Sequence, residues 1–149
     1  MSADFYLGNP NLKKVGTEIQ FTKEQIQEYL KCKEDPVYFA MNYIKIISLD
    51  EGIVPFKMWD FQQELIESFH ENRFNIAKLP RQTGKSTTCV SYLLHYILFN
   101  DNVNVGILAN KLSTARDLLG RLQLAYEQLP LWLQQGIVVY NKGSMELEN

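Results

Sequence analysis

Along this chain the spacing of apolar residues changes character near residue 74. Before that, residues 1–20 are rich in Asn, Gly and Lys, show no apolar period and read as an arm or irregular lead-in. Thr22 with Gln25 three residues later forms a capping box, and Ile26, Tyr29 and Leu30 then recur at helical spacing up to Lys33. Pro36 suits the first turn of a second helix, with Phe39, Ala40, Tyr43 and Ile44 on one face before Asp50, Glu51 and Gly52 turn the chain. Asp60 is placed to cap a third, with Phe61, Leu65, Ile66 and Phe69 inward.

From Phe74 the pattern is one of short apolar runs between helices. Residues 74–79 predict a buried strand, which leads through PRQTGKS into a long apolar helix over about 85–99. Residues 103–109 predict a second buried strand and 113–128 an amphipathic helix. Residues 137–140 and 145–147 read as two strands joined around Lys142 and Gly143. This alternation implies right-handed crossovers and an α/β fold with a parallel sheet flanked by helices. Two segments are expected: an arm and helical part over 1–52, and the first part of a nucleotide-binding domain over 53–149.

Composition narrows the function classes. With 149 residues and 46% apolar, the chain can bury one core. Fifteen basic against 17 acidic residues leave a net charge of -2, so any nucleic-acid contact must be local. Cys32 and Cys89 lack metal-ligand spacing, and a reducing compartment fits them. The apolar run 92–99 contains His95 and is too short to span a bilayer, so no membrane association is expected.

The candidate chemistry lies in LPRQTGKST. Gly84, Lys85 and Ser86 match the end of the phosphate-loop pattern, in which glycine lets backbone N–H groups curl around an anion. The helix starting at Lys85 would point its positive end at the phosphates of ATP. Lys85 would reach the β and γ oxygens, Ser86 would ligate Mg2+, and Thr87 would cap the same turn. Backbone amides from Arg81 through Gln82, Thr83 and Gly84 to Lys85 would wrap the triphosphate. Leu79 stands where the pattern has its first glycine, and Pro80 removes one N–H from the cradle. The alternative is that Gly84 merely starts a helix. Arg81 is suited either to act as an arginine finger in cis or to brace the loop against an acidic neighbour. Gln62, in WDFQQEL, offers the donor and acceptor that reading the adenine edge needs, or is a solvated glutamine on a helix. Hydrolysis also needs a carboxylate on a strand. The run 44–51, IKIISLDE, ends in Asp50 and Glu51 but precedes the loop, and reads as a helix end running into an acidic turn.

These residues resemble the large terminase subunit, the DNA-packaging motor ATPase of tailed bacteriophages, in its contractile-tailed type. The loop PRQTGKST looks like that family's deviant Walker A, where an Arg-Gln pair precedes a variable residue and GK[ST] and the first glycine is commonly missing. The likeness extends to YLGNPNLKK, KCKEDPVYFAMNY, WDFQQEL, VGILANK and LPLWLQQGIVVYNKGSMELEN. It implies a RecA-like P-loop NTPase of the additional-strand type that uses ATP and Mg2+ to drive double-stranded DNA into a procapsid. It also implies a homo-oligomeric ring docked on the portal protein, a small terminase subunit as partner, and a location in the bacterial host cytoplasm. Arg81 and Lys85 take the catalytic positions and Gln62 the adenine-reading one. The family's Walker B strand and nuclease domain have no counterpart here, so the chain is expected to be an N-terminal portion of such a motor. A superfamily 2 helicase-like ATPase and a nucleotide-binding fragment without turnover are the competing expectations.

Overall fold

The computed structural model describes residues 5–48 and 50–149. The first four residues of the expected arm, and Leu49 of the run 44–51, lie outside the described residues. Helices α1 (Lys23–Glu34), α2 (Pro36–Tyr43), α3 (Asp60–Glu71), α4 (Lys85–Phe99) and α5 (Leu112–Glu127) carry most of the structure. Two hairpins, β1 (Lys45–Ser48) with β2 (Gly52–Pro55) and β3 (Ile137–Tyr140) with β4 (Met145–Leu147), and short 3-10 turns at Tyr6–Gly8 and Leu131–Leu133 accompany them.

Local chemistry explains the helix starts. At α1 the Thr22 hydroxyl accepts from the Gln25 N–H at 3.2 Å and the Gln25 side chain accepts from the Thr22 N–H at 3.0 Å, a reciprocal cap. Asp35 caps α2 through the Tyr38 N–H at 2.8 Å, and Pro36 fills the first position, where a missing N–H costs nothing. The buried position of α1 is Cys32, whereas Ile26 and Leu30 of the expected face are half exposed. At α3, Trp59 occupies the N-cap and Asp60 the first helical position.

The expected parallel-sheet, RecA-like fold is not what forms. Among the described residues the two sheets are separate antiparallel pairs, and the only parallel contact is an isolated bridge between Lys14 and Ile137. Residues 74–79 and 103–109 are not strands. Phe74 is 83% exposed, Ile76 is fully exposed and Leu108 is 92% exposed, so these runs do not build the core. A strand needs a neighbour to accept its ladder of hydrogen bonds, and a short apolar run carries no information about that neighbour. The run 44–51 also differs from expectation: α2 stops at Tyr43 and residues 45–48 pair with Gly52–Pro55. The acidic turn does form there, with Gly52 in the left-handed region at φ 75°.

The core is helical, with α4 at its centre. Leu94 and Leu98 of α4 pack with Phe39 and Ala40 of α2, Ile66 of α3, and Leu122 and Tyr126 of α5. Leu12 and Ile137 close it, so the core draws on both sides of the expected boundary at residue 52. The lead-in is tied down by Glu148, whose carboxylate accepts from the Gly16 N–H at 2.8 Å and the Gly136 N–H at 2.7 Å and pairs with Lys13 at 3.5 Å. No helix among the described residues is long and apolar enough to cross a membrane.

Candidate functional site

The turn over 80–84 feeds directly into α4, and its shape rests on two left-handed residues. Gln82 has φ 61° and Gly84 has φ 72°. Glycine takes this conformation freely, but for glutamine it costs on the order of 1–3 kcal/mol, a strain that persists only where surrounding bonds enforce it. Three sets of contacts do so. The Thr83 hydroxyl donates to the Pro80 carbonyl at 3.1 Å. Lys85 folds back on the loop, its ammonium donating to the carbonyls of Leu79 at 3.3 Å and Pro80 at 3.2 Å. From beneath, Gln62 Nε2 donates to the Thr83 carbonyl at 3.1 Å.

Both the N–H and the hydroxyl of Thr88 donate to the Gly84 carbonyl, at 3.0 and 3.1 Å, which locks the first turn of α4 to the end of the loop. Thr88 is fully buried and absent from the sequence-derived site. Its signal was available as a second threonine one turn inside the helix, but a hydroxyl back-bonding to a carbonyl four residues earlier is common to many helices. The first amides of α4 have no carbonyl four residues earlier to accept from them, so they stay available to an anion at the positive helix end. Turns that alternate into the left-handed region and open a helix in this way form concavities for anions.

The sequence-derived residues converge on this loop. Pro80, Arg81 and Gln82 are exposed on it, while Thr83, Lys85, Ser86 and Thr87 are partly buried. Arg81 makes no ion pair among the described residues, so the acidic brace considered for it is not formed. The Ser86 hydroxyl is not drawn into the bonds that engage the neighbouring hydroxyls of Thr83, Thr88 and Ser91. Gln62 is buried rather than solvated, at 4% exposure, and its Oε1 accepts from the Trp59 N–H at 3.0 Å.

Among the described residues no group of three or more His, Cys, Asp or Glu side chains could hold a metal ion by itself. A Mg2+ ion would therefore fit here only if a nucleotide brought it, with phosphate oxygens and water as most of its ligands and the Ser86 hydroxyl as the one ligand from the loop. Asp50 and Glu51 belong to the β1–β2 turn, on a different element from the loop. No family model matches the chain.

Proposed function

We propose that this chain binds the triphosphate of Mg-ATP on the loop over 80–87, as the ATP-binding portion of a viral terminase large subunit that powers double-stranded DNA packaging. The observation that carries the reading is the strained, hydrogen-bonded turn with left-handed residues at Gln82 and Gly84, opening the fifteen-residue helix α4. In it, backbone amides and the helix end meet the phosphates, Lys85 exchanges its two carbonyl contacts for phosphate oxygens, and Ser86 ligates the magnesium. Arg81, exposed and without an ion pair among the described residues, would be the charge that meets the γ-phosphate. The packaging role, with DNA, portal protein and small subunit as partners in a ring at the procapsid in the host cytoplasm, rests on the resemblance of the loop and its flanking segments to that family.

A second reading, binding without turnover, is favoured by the carboxylates. No acidic side chain takes part in the hydrogen bonds that shape the loop. Hydrolysis by this chain alone should accordingly be slight. Titration calorimetry with Mg-ATP tests the reading: wild type should bind, and Lys85→Ala should lose at least tenfold in affinity. Equal binding by both proteins would remove Lys85 from the site and the reading with it.

A further inference from the structure

Gln62 lies outside the loop in sequence but not in space. It sits at the third position of α3, where its own N–H donates to the Trp59 carbonyl at 2.9 Å. Its amide oxygen accepts from the Trp59 N–H at 3.0 Å, which fixes the amide plane, and its amide nitrogen then points at the Thr83 carbonyl, 3.1 Å away. The contact with the next residue is closer still. A Cβ placed on Gly84 would stand 2.5 Å from Gln62 Nε2, so the amide presses against the one loop position that bears no side chain. A glutamine amide has two N–H groups and two acceptor lone pairs, and one of each is already committed to main chain. With Gln62 only 4% exposed, the remaining pair has no open path to a base.

Resting on the phosphate-loop reading above, we infer that Gln62 is a positioning residue for that loop rather than a reader of the adenine edge. It carries the rigidity of the α3 N-terminus into the peptide between Thr83 and Gly84. It thereby holds Gly84 left-handed and the following amides convergent. An unsupported loop would spend part of its binding energy on ordering itself, so loss of the brace weakens any polyphosphate to the same degree, with or without a base. The site's selectivity, as far as Gln62 sets it, is for the phosphate chain.

The discriminating ligand is inorganic tripolyphosphate with Mg2+, which has no base. Gln62→Glu keeps an oxygen to accept from the Trp59 N–H but sets a second oxygen against the Thr83 carbonyl. Gln62→Met keeps the length and packing and makes neither bond. Calorimetry on the whole chain, wild type and both variants, would be run with Mg-tripolyphosphate and Mg-ATP at a temperature where circular dichroism shows each protein folded. The expected result is a loss of roughly tenfold for both ligands, equal within a factor of two or three.

Loss for Mg-ATP with unchanged tripolyphosphate binding would overturn the inference and make Gln62 a base reader. Unchanged binding of both ligands would overturn it by removing Gln62 from the site. Loss of the cooperative melt in both variants would overturn it too, making Gln62 a residue of the fold. Failure of the wild type to bind either ligand would instead bring down the phosphate-loop reading, and this inference with it.

Discussion

Acid should loosen this protein through a single imidazole. His95 is on α4, 2% exposed, with Nε2 2.9 Å from the Cys32 carbonyl of α1. That contact places the proton on Nε2 and leaves Nδ1 as a bare lone pair, which has no hydrogen-bond partner among the described residues. The ring is enclosed by Phe39, Tyr92 and Phe99, with the His70 ring 6.0 Å away. Burial, which disfavours the imidazolium, is the main cause that pushes the His95 pKa down from 6.5 to about 4, and the charge of His70 adds to it.

The unfolded chain therefore binds a proton between pH 6.5 and about 4 that the folded one refuses. Stability is fully present above 6.5 and falls as the pH drops through that window. With these two values, about 2 kcal/mol is lost between pH 7.5 and 5, and about 3 kcal/mol by the time pH 4 is passed. For a chain of this size 2 kcal/mol lowers the melting temperature by roughly 5–8 °C. Glu148, whose carboxyl is held below its usual value by the Gly16 and Gly136 amides against the opposing effect of burial, contributes in the same direction but only below about pH 4.5. Urea unfolding at half-unit steps from pH 5 to 7.5 isolates the histidine. His95→Gln, which can still donate to the Cys32 carbonyl but does not titrate, should flatten the slope. A wild-type stability that is level across this range, or a slope that survives in the variant, would refute the assignment.

The glycine at the loop makes a second test. Gly84→Ala brings a Cβ to 2.5 Å from Gln62 Nε2 at a φ of 72°, so it should cost about 1–3 kcal/mol in urea unfolding and weaken Mg-ATP binding in calorimetry. Glu148→Ala removes the acceptor from two backbone N–H groups and frees Lys13; it should lower stability by about 1–3 kcal/mol at pH 7 while leaving Mg-ATP affinity within twofold. A loss of affinity there would mean that the lead-in and the loop are coupled.

Features closed within a few residues were legible in the sequence. The opening of α4 depends on the left-handed backbone that Gly84 takes freely, and the Thr22–Gln25 box and the Asp35–Pro36 start depend on side chains adjacent to the backbone they cap. So does the β3–β4 turn, where Asn141 Oδ1 accepts from the N–H groups of Gly143 and Ser144. Features that need a distant partner were not. The apolar runs at 74–79 and 103–109 have strand composition, but no strand among the described residues pairs with them, and Phe74, Ile76 and Leu108 are exposed. On α1 the buried residue is Cys32, whose carbonyl contacts His95 sixty-three residues away, while Ile26 and Leu30 stay half exposed. The run 44–51 suits a helix end as well as a strand, since Ile46 and Ile47 fit either element until Val54 and Ile53 are seen across from them. Within the candidate site, residues 80–87 are picked out by the motif alone. The attachment of Gln62 to Thr83 spans twenty-one residues and had only a half-signal, a glutamine three places after the start of a helix.

On the proposed reading, the amides opening α4 receive a phosphate chain. Backbone amide NMR of the uniformly 15N-labelled chain during addition of Mg-tripolyphosphate reads it directly. The Gly84, Lys85, Ser86 and Thr87 resonances should move first and furthest, saturating together, as N–H groups without a carbonyl partner among the described residues acquire an anionic one. Resonances at 84–87 that stay in place while others move, or a spectrum that does not change at all, would contradict it.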